Sequence, residues 1–352
     1  MKWDKIIYFL LAVLFGIGLF FPIRKYICEF FISFLIVFLI MGFYIKWAHK
    51  KNITNIDCHK YNKPKFADMG GYILLLGFFI GLFSIFPFVS GFDLYSIMAG
   101  AFTVLLVGFV GSFDDLFKLN EFQKILLLLV ASIPLVAILA GNHTVTIPFY
   151  GPLSLGWVYS FVIIPILILV YSNATNMLAG YNGLEVGLGI ITMLFMIFSS
   201  LIIGNYLAMV ILVSMLGALI GFYYYNAYPA KVILGDVGNL AIGASIATAM
   251  IIGNMEIIGV LLTLIYLVNF GLYAIHIFIV RGKGKTISTC DKNGHLIPTY
   301  YEKNGKTFIG WHAIYYLMEH VYKGKLTEKG LVRNFFILHF IISLVVFLIY
   351  FL

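Results

Sequence analysis

The chain has little charge. Of 352 residues only 11% are charged and 62% are hydrophobic, whereas soluble domains carry about a quarter charged residues. A water-soluble globule with this balance would expose large apolar patches, which soluble monomers avoid. Intrinsic disorder is excluded as well, because the apolar surface is ample to offset chain entropy. Cysteine is scarce: Cys28, Cys58 and Cys290 are far apart and form no CxxC pair, so neither a disulfide framework nor a zinc site is expected. Acids are also few, 15 against 23 Lys and Arg. The surplus of +8 reads as membrane topology or anionic partners rather than nucleic acid.

What is present is a succession of apolar runs. A bilayer core needs about 20 apolar residues per helix. Eleven stretches qualify, roughly 6–23, 27–46, 69–89, 96–113, 123–141, 156–172, 186–203, 206–225, 240–253, 256–280 and 334–352, the ninth being short. Lys2 and Lys5 followed by an apolar run resemble a signal peptide, but no small-residue cleavage site follows, and 6–23 reads as a retained first span. Residues 1–352 are thus expected to form a single, all-α polytopic membrane domain. Residues 142–155 read as a short extracytoplasmic hairpin. Residues 281–333 read as the last cytosolic loop, with a hairpin turn at Asp291-Lys292-Asn293-Gly294 and an amphipathic helix over 311–322.

With the N-terminus in the cytosol, 21 of the 23 basic residues fall on one side and only Arg24 and Lys25 on the other. The positive-inside rule then fixes the orientation. Asp114, Asp115, Glu185 and Asp236 lie at cytosolic helix ends, so any chemistry faces the cytosol.

Four polar clusters break the apolar pattern. The run GFVGSFDD ends in Asp114 and Asp115. Paired carboxylates repel unless a cation compensates, and hard oxygens suit Mg²⁺ together with substrate phosphates; the plain alternative is a solvated helix end. Lys124, ten residues beyond Asp114, reads as a phosphate neutraliser or a membrane anchor. The run NATNMLAGYNGLE (173–185) sets four uncharged polar side chains and an acid between two spans. Polar, irregular backbone at that depth is tolerated only within protein or at a wet cavity. Asp236, in KVILGDVGN, is either a functional intramembrane acid or an N-cap. Arg281, Lys283 and Lys285, in RGKGK, read as a pyrophosphate holder or as anchors to anionic lipid. His295 and His312 read as structural.

Taken in order, these elements resemble the polyprenyl-phosphate N-acetylhexosamine-1-phosphate transferase superfamily. The resemblance runs from about residue 27 to the C-terminus. It rests on a Lys-rich loop ending Asp68-Met69-Gly70-Gly71, the GxxxxFDD helix end, NATNMLAGYNGLE and the GD of VILGD. AGxNGxE looks like the eukaryotic and archaeal GlcNAc branch, whereas the phospho-MurNAc-pentapeptide branch typically has DGxDG there.

The resemblance implies attack by a lipid phosphate on the β-phosphorus of a UDP-sugar, releasing UMP. Such transfer is largely positioning and charge neutralisation. It implies Mg²⁺ as cofactor (Mn²⁺ as the substitute ion), held by Asp236 with Asn176 beside it. Asp114 and Asp115 would orient or deprotonate the lipid phosphate, and Lys124 would contact phosphate. Gly180 and Asn182 would recognise uracil, and Asp68 would reach the nucleoside. Asn173, Glu185, Arg281, Lys283 and Lys285 complete the expected substrate-binding set. The partners implied are a UDP-sugar, most readily UDP-GlcNAc, and a polyprenyl or dolichyl phosphate, with a homodimer left open. A plasma membrane with a cytosolic active site is expected, or an ER membrane in a eukaryote. Two other readings remain: the same chemistry with another UDP-N-acetylhexosamine, and an ion-coupled secondary transporter.

The sequence departs from the pattern in three places. Ile233 stands where the eukaryotic branch has an aromatic residue for uracil stacking. Lys283-Gly284-Lys285 stands where that branch has Arg-His-Arg, unless His295 takes the histidine's place. Finally, 6–23 is an extra span over the usual ten.

Overall fold

The computed structural model describes residues 24–147, 150–275, 288–298, 301–303, 306–308 and 325–352. The expected span 6–23, the cations Arg281, Lys283 and Lys285, His312 and the expected amphipathic helix 311–322 lie outside the described residues.

Among the described residues, eight helical segments are long and apolar enough to cross a membrane. In chain order they are α1 (Arg24–Lys50), α2 (Gly71–Phe83, continued by a 3₁₀ turn to Phe88), α3 (Gly91–Phe117), α6 (Ile164–Leu178, entered through a π turn from Tyr159), α7 (Leu184–Ile203), α8 (Tyr206–Asn226), α9 (Gly235–Gly253) and α12 (Glu328–Phe351). Two expected spans are not continuous. The stretch 123–141 is split into α4 (Glu121–Ala131) and α5 (Ile133–Ala137). Pro134 at the start of α5 has no N–H to extend the helical ladder. The stretch 256–280 is split into α10 (Glu256–Leu262) and α11 (Leu264–Ile275). There Thr263 Oγ1 donates back to the Gly259 carbonyl at 2.6 Å, a bond that bends helices.

The short ninth stretch, 240–253, proves to be the centre of the bundle. It belongs to α9, in which every residue from Val237 to Gly253 is buried. The sequence GDVGNLAIGASIATAMIIG explains why: small side chains let neighbouring backbones close in. α9 packs against α3, α6, α8 and α2, and this places its first turn, with Asp236, among the ends of the other helices.

Four antiparallel two-stranded hairpins complete the description. β1 (Thr54–Ile56) pairs with β2 (Lys65–Ala67) between α1 and α2. β3 (Thr144–Ile147) pairs with β4 (Gly151–Ser154), which is the hairpin expected over 142–155. β5 (Ser288–Cys290) pairs with β6 (Leu296–Pro298) around the expected 291–294 turn, and β7 (Tyr301–Lys303) with β8 (Lys306–Phe308). β1–β2 follows the end of α1 that shares a bundle end with Asp115 and Asp236; β3–β4 connects helices at the opposite end.

Candidate active site

Backbone contacts put Asp236 in place first. The segment after β2 runs beside residues 231–234: Ala67 N–H donates to the Lys231 carbonyl at 3.0 Å, Ile233 N–H to Ala67 at 3.0 Å, Gly70 N–H to Ile233 at 2.9 Å and Gly71 N–H to Leu234 at 2.9 Å. Gly235 then turns the chain into α9 with φ +69°, a value that glycine adopts without strain. A Cβ at Gly235 would also lie 2.8 Å from Asp115 Oδ2. Gly111 lets α3 reach the same point, since a Cβ there would lie 2.5 Å from the Asp236 carbonyl oxygen and 2.6 Å from Val237 Cα. The glycine of GSFDD is therefore the contact that brings the acid pair to Asp236.

The two acids of that pair do different things. Asp115 accepts from Asp236 N–H at 3.1 Å and from Val237 N–H at 3.2 Å. It satisfies two otherwise unpaired donors at the start of α9 and lies at the positive end of that helix. Asp114 accepts from Leu119 N–H through Oδ1 at 3.0 Å and turns Oδ2 to Lys124.

Among the described residues, Lys124 is the cation beside these acids. Its Nζ is 2.6 Å from Asp114 Oδ2 and 3.2 Å from Asp236 Oδ2, and the residue is buried. The preceding turn fixes it there: Asn120 Oδ1 accepts from Gln123 N–H at 2.9 Å while Gln123 Oε1 accepts from Asn120 N–H at 3.1 Å. This reciprocal cap starts α4 at Glu121, three residues before Lys124.

Asn176, in the last turn of α6, completes the constellation. With its amide nitrogen facing Asp236, it donates to Asp236 Oδ1 at 3.1 Å and its oxygen accepts from Lys124 Nζ at 3.0 Å. In the opposite orientation the oxygen accepts from Asn239 Nδ2 at 3.2 Å. Asn239 is one turn after Asp236 on α9, and its carbonyl accepts from Thr175 Oγ1 at 2.8 Å. Asp114, Asp115, Asp236 and Asn176 supply hard oxygen donors of the kind Mg²⁺ takes. Three carboxylates against one ammonium leave an excess of negative charge when all are ionised, and this donor set fits a divalent cation.

These residues form one end of a cleft of about 600 Å³, within the range of small-molecule sites. Asp68, Asn173, Gly180, Asn182 and Glu185 line the same cleft. Asp68 is held by Met69 N–H, which donates to Oδ1 at 2.7 Å, and burial raises its carboxyl above the usual range. Asn173 donates to the Leu169 carbonyl at 2.9 Å. Gly180 has φ +129°.

Asn182 belongs to a second network. Its Oδ1 accepts from Lys60 Nζ at 2.7 Å and from Ala230 N–H at 2.6 Å, its Nδ2 donates to Asp57 Oδ2 at 3.2 Å, and its N–H donates to Glu328 Oε1 at 2.7 Å. Most of the amide's capacity is thus taken by protein groups. Lys60 is also ion-paired with Asp57, lies 3.5 Å from Glu328 Oε2 and sits 4.7 Å from the Tyr228 ring centre. Asp57, His59 and Glu328 have metal-ligand spacing, but the Lys60 ammonium already lies against both carboxylates. This network ties the β1–β2 loop, the 179–183 turn and the first turn of α12 together. His59 lies over Tyr181 with ring centres 4.5 Å apart, and burial lowers its imidazole pKa to about 4.

Residues 97–254, which span the acid pair, the Asn cluster and Asp236, match glycosyl transferase family 4. A Saccharolobus solfataricus protein named for UDP-N-acetylglucosamine–dolichyl-phosphate N-acetylglucosaminephosphotransferase is 34% identical over 270 residues, covering 75% of this chain and 81% of its own. The chain belongs to glycosyl transferase family 4. A second relative, similarly named and from Sulfolobus acidocaldarius, is 31% identical, covering 74% of this chain and 83% of its own. The phospho-N-acetylmuramoyl-pentapeptide-transferase of Streptococcus mutans is 30% identical over 68% of this chain and 75% of its own.

In this family 4 member the sequence reading passed over Asn239, Asp57, His59, Lys60 and Glu328. For Asn239 a signal existed: Asp236 and Asn239 are three apart on a helix and so share a face. The 57–60 segment, Asn182 and Glu328 are too far apart in sequence for any spacing rule to join them. His295 bonds within its own turn, Nδ1 lying 3.2 Å from Asp291 Oδ2.

Proposed function

We propose that this family 4 protein transfers an N-acetylhexosamine 1-phosphate, in the first instance GlcNAc 1-phosphate, from a UDP-sugar to a polyprenyl phosphate. The observation that carries the reading is the Lys124 ammonium between Asp114 and Asp236, with Asn176 alongside, at the end of a membrane-helix bundle. An oxygen of the lipid phosphate forms a bond to the donor's β-phosphorus, the bond from that phosphorus to the oxygen bridging to the α-phosphate breaks, and UMP leaves with that oxygen. A site for this reaction needs fixed positive charge beside the phosphates and an acceptor that holds the lipid phosphate in line. Lys124 supplies the first and Asp114 the second. Asp115 positions Asp236 by holding the start of α9.

Mg²⁺, held by Asp236 and Asn176, would supply further neutralisation of the pyrophosphate. The relatives' names support the donor and acceptor classes. Placement of 21 of the 23 basic residues on one side supports a cytosol-facing site. The acids of the cleft gather at one end of the bundle rather than at its middle, which favours an enzyme over an ion-coupled transporter. The test is UMP release from purified protein. Release that requires both UDP-GlcNAc and polyprenyl phosphate supports the proposal. Release without the lipid, or none with any UDP-N-acetylhexosamine, refutes it.

A further inference from the structure

A nucleotide donor needs its base recognised as well as its phosphates. Asn182 is expected to serve the base, and Ile233 stands where the eukaryotic branch has an aromatic residue for uracil stacking. Ile233 offers no aromatic face. Asn182 has both acceptor positions of Oδ1 filled by Lys60 and Ala230 and one Nδ2 hydrogen taken by Asp57.

His59 is free to do this work. Its side chain lines the cleft with Cys58 and Tyr181 and is only 5% exposed. The ring is clamped: Tyr181 packs against it at 32° between ring planes, the Tyr181 hydroxyl is 3.2 Å from Ser288 Oγ, and His59 N–H donates to Asp57 Oδ1 at 3.1 Å. A recognition group held this rigidly loses little entropy on binding.

The imidazole's hydrogen-bonding state depends on its charge and its tautomer. Burial keeps it neutral at pH 7, so one ring nitrogen donates and the other accepts. Nε2 lies 3.8 Å from Cys58 Sγ; in the tautomer that carries its proton on Nε2, toward the sulfur, Nδ1 is the acceptor. Among the described residues Nδ1 has no hydrogen-bond partner. An acceptor at that position complements the N3–H of uracil and opposes the lone pair on N3 of cytosine.

We infer that His59 reads the donor's base, accepting the N3–H of a uracil through Nδ1. The inference takes the nucleotide donor from the transferase reading, but its test does not depend on transfer. Calorimetric titration of the full-length protein with UMP and with CMP gives a ratio of dissociation constants. The ratio is expected to favour UMP by about tenfold or more. His59→Phe keeps a ring against Tyr181 and removes both nitrogens; it is expected to bring the ratio below about threefold by weakening UMP. N3-methyl-UMP, which lacks the N3–H, is expected to bind the unaltered protein about tenfold more weakly than UMP, and this arm requires no variant. A UMP preference unchanged in His59→Phe, equal binding of UMP and N3-methyl-UMP, or no binding of UMP by the unaltered protein overturns the inference. A His59-dependent UMP preference without lipid product would uphold it while refuting the transferase reading.

Discussion

Asp115 accepts the backbone N–H groups of both Asp236 and Val237, at 3.1 and 3.2 Å. One carboxylate of the acid pair thus serves as the cap of the central helix and fixes where the Asp236 side chain starts. The adjacent Asp114 faces Lys124 instead. Two identical neighbours in the sequence therefore have separable roles.

Replacing Asp115 tests that separation. Asp115→Ala leaves two helix-start donors without their acceptor, which costs about 1–2 kcal/mol. Thermal unfolding in detergent should shift downward, and activity should fall because Asp236 is displaced. Asp114→Asn should lower activity with a smaller loss of stability. Equal unfolding temperatures for Asp115→Ala and the unaltered protein would contradict the cap.

Gly111→Ala places a methyl group 2.5 Å from the Asp236 carbonyl oxygen. The contact is with backbone, so α3 and α9 must separate, and overpacking of this kind costs about 1–3 kcal/mol. The protein should still assemble in membranes, with activity reduced far more than unfolding temperature. Unaltered turnover would show that the α3–α9 approach is not needed.

Lys124→Met removes a buried cation from between two half-buried carboxylates. Breaking a fully buried pair costs about 3–5 kcal/mol; these carboxylates keep some water, so the unfolding temperature should fall by less than that figure implies. Lys124→Arg should keep charge and much of the stability but not the geometry of a point ammonium. Transfer kinetics of the arginine variant should show a depressed kcat. Full activity in either variant would remove Lys124 from the site.

His59 also makes stability depend on pH. Its folded pKa, about 4, is below the ordinary value of 6.5. Above pH 6.5 the group is neutral in both states and has no effect. As pH falls from 6.5 toward 4 the unfolded chain takes up the proton first, and stability falls by up to roughly 3 kcal/mol. His59→Phe should lose this component, giving a flatter plot of unfolding temperature against pH. Parallel plots would contradict a buried neutral imidazole.

The chemistry of the cleft was legible because its acids and amides interrupt apolar runs, where polar groups are costly unless used. Asp114, Asn176 and Asp236 stood out on that ground, Lys124 by its place ten residues beyond Asp114, and the structure brings all four together. The distinct role of Asp115 was not legible, since it depends on how α3 meets α9. Nor was the Lys60 network, whose members come from three distant segments. Hydrophobic runs likewise showed that residues 123–141 and 256–280 are apolar, but not that Pro134 and Thr263 mark breaks within them. Glu29 lay unnoticed within an expected span, where it accepts from the Ser214 hydroxyl at 2.5 Å.

The most direct test of the whole account is mass spectrometry of the lipid formed when purified protein is incubated with UDP-GlcNAc, polyprenyl phosphate and Mg²⁺. The unaltered protein should yield polyprenyl-pyrophosphoryl-GlcNAc together with UMP, and Asp236→Asn should yield none while retaining its helical content and cooperative unfolding. Full product formation by Asp236→Asn, or its absence with the unaltered protein, would contradict the account.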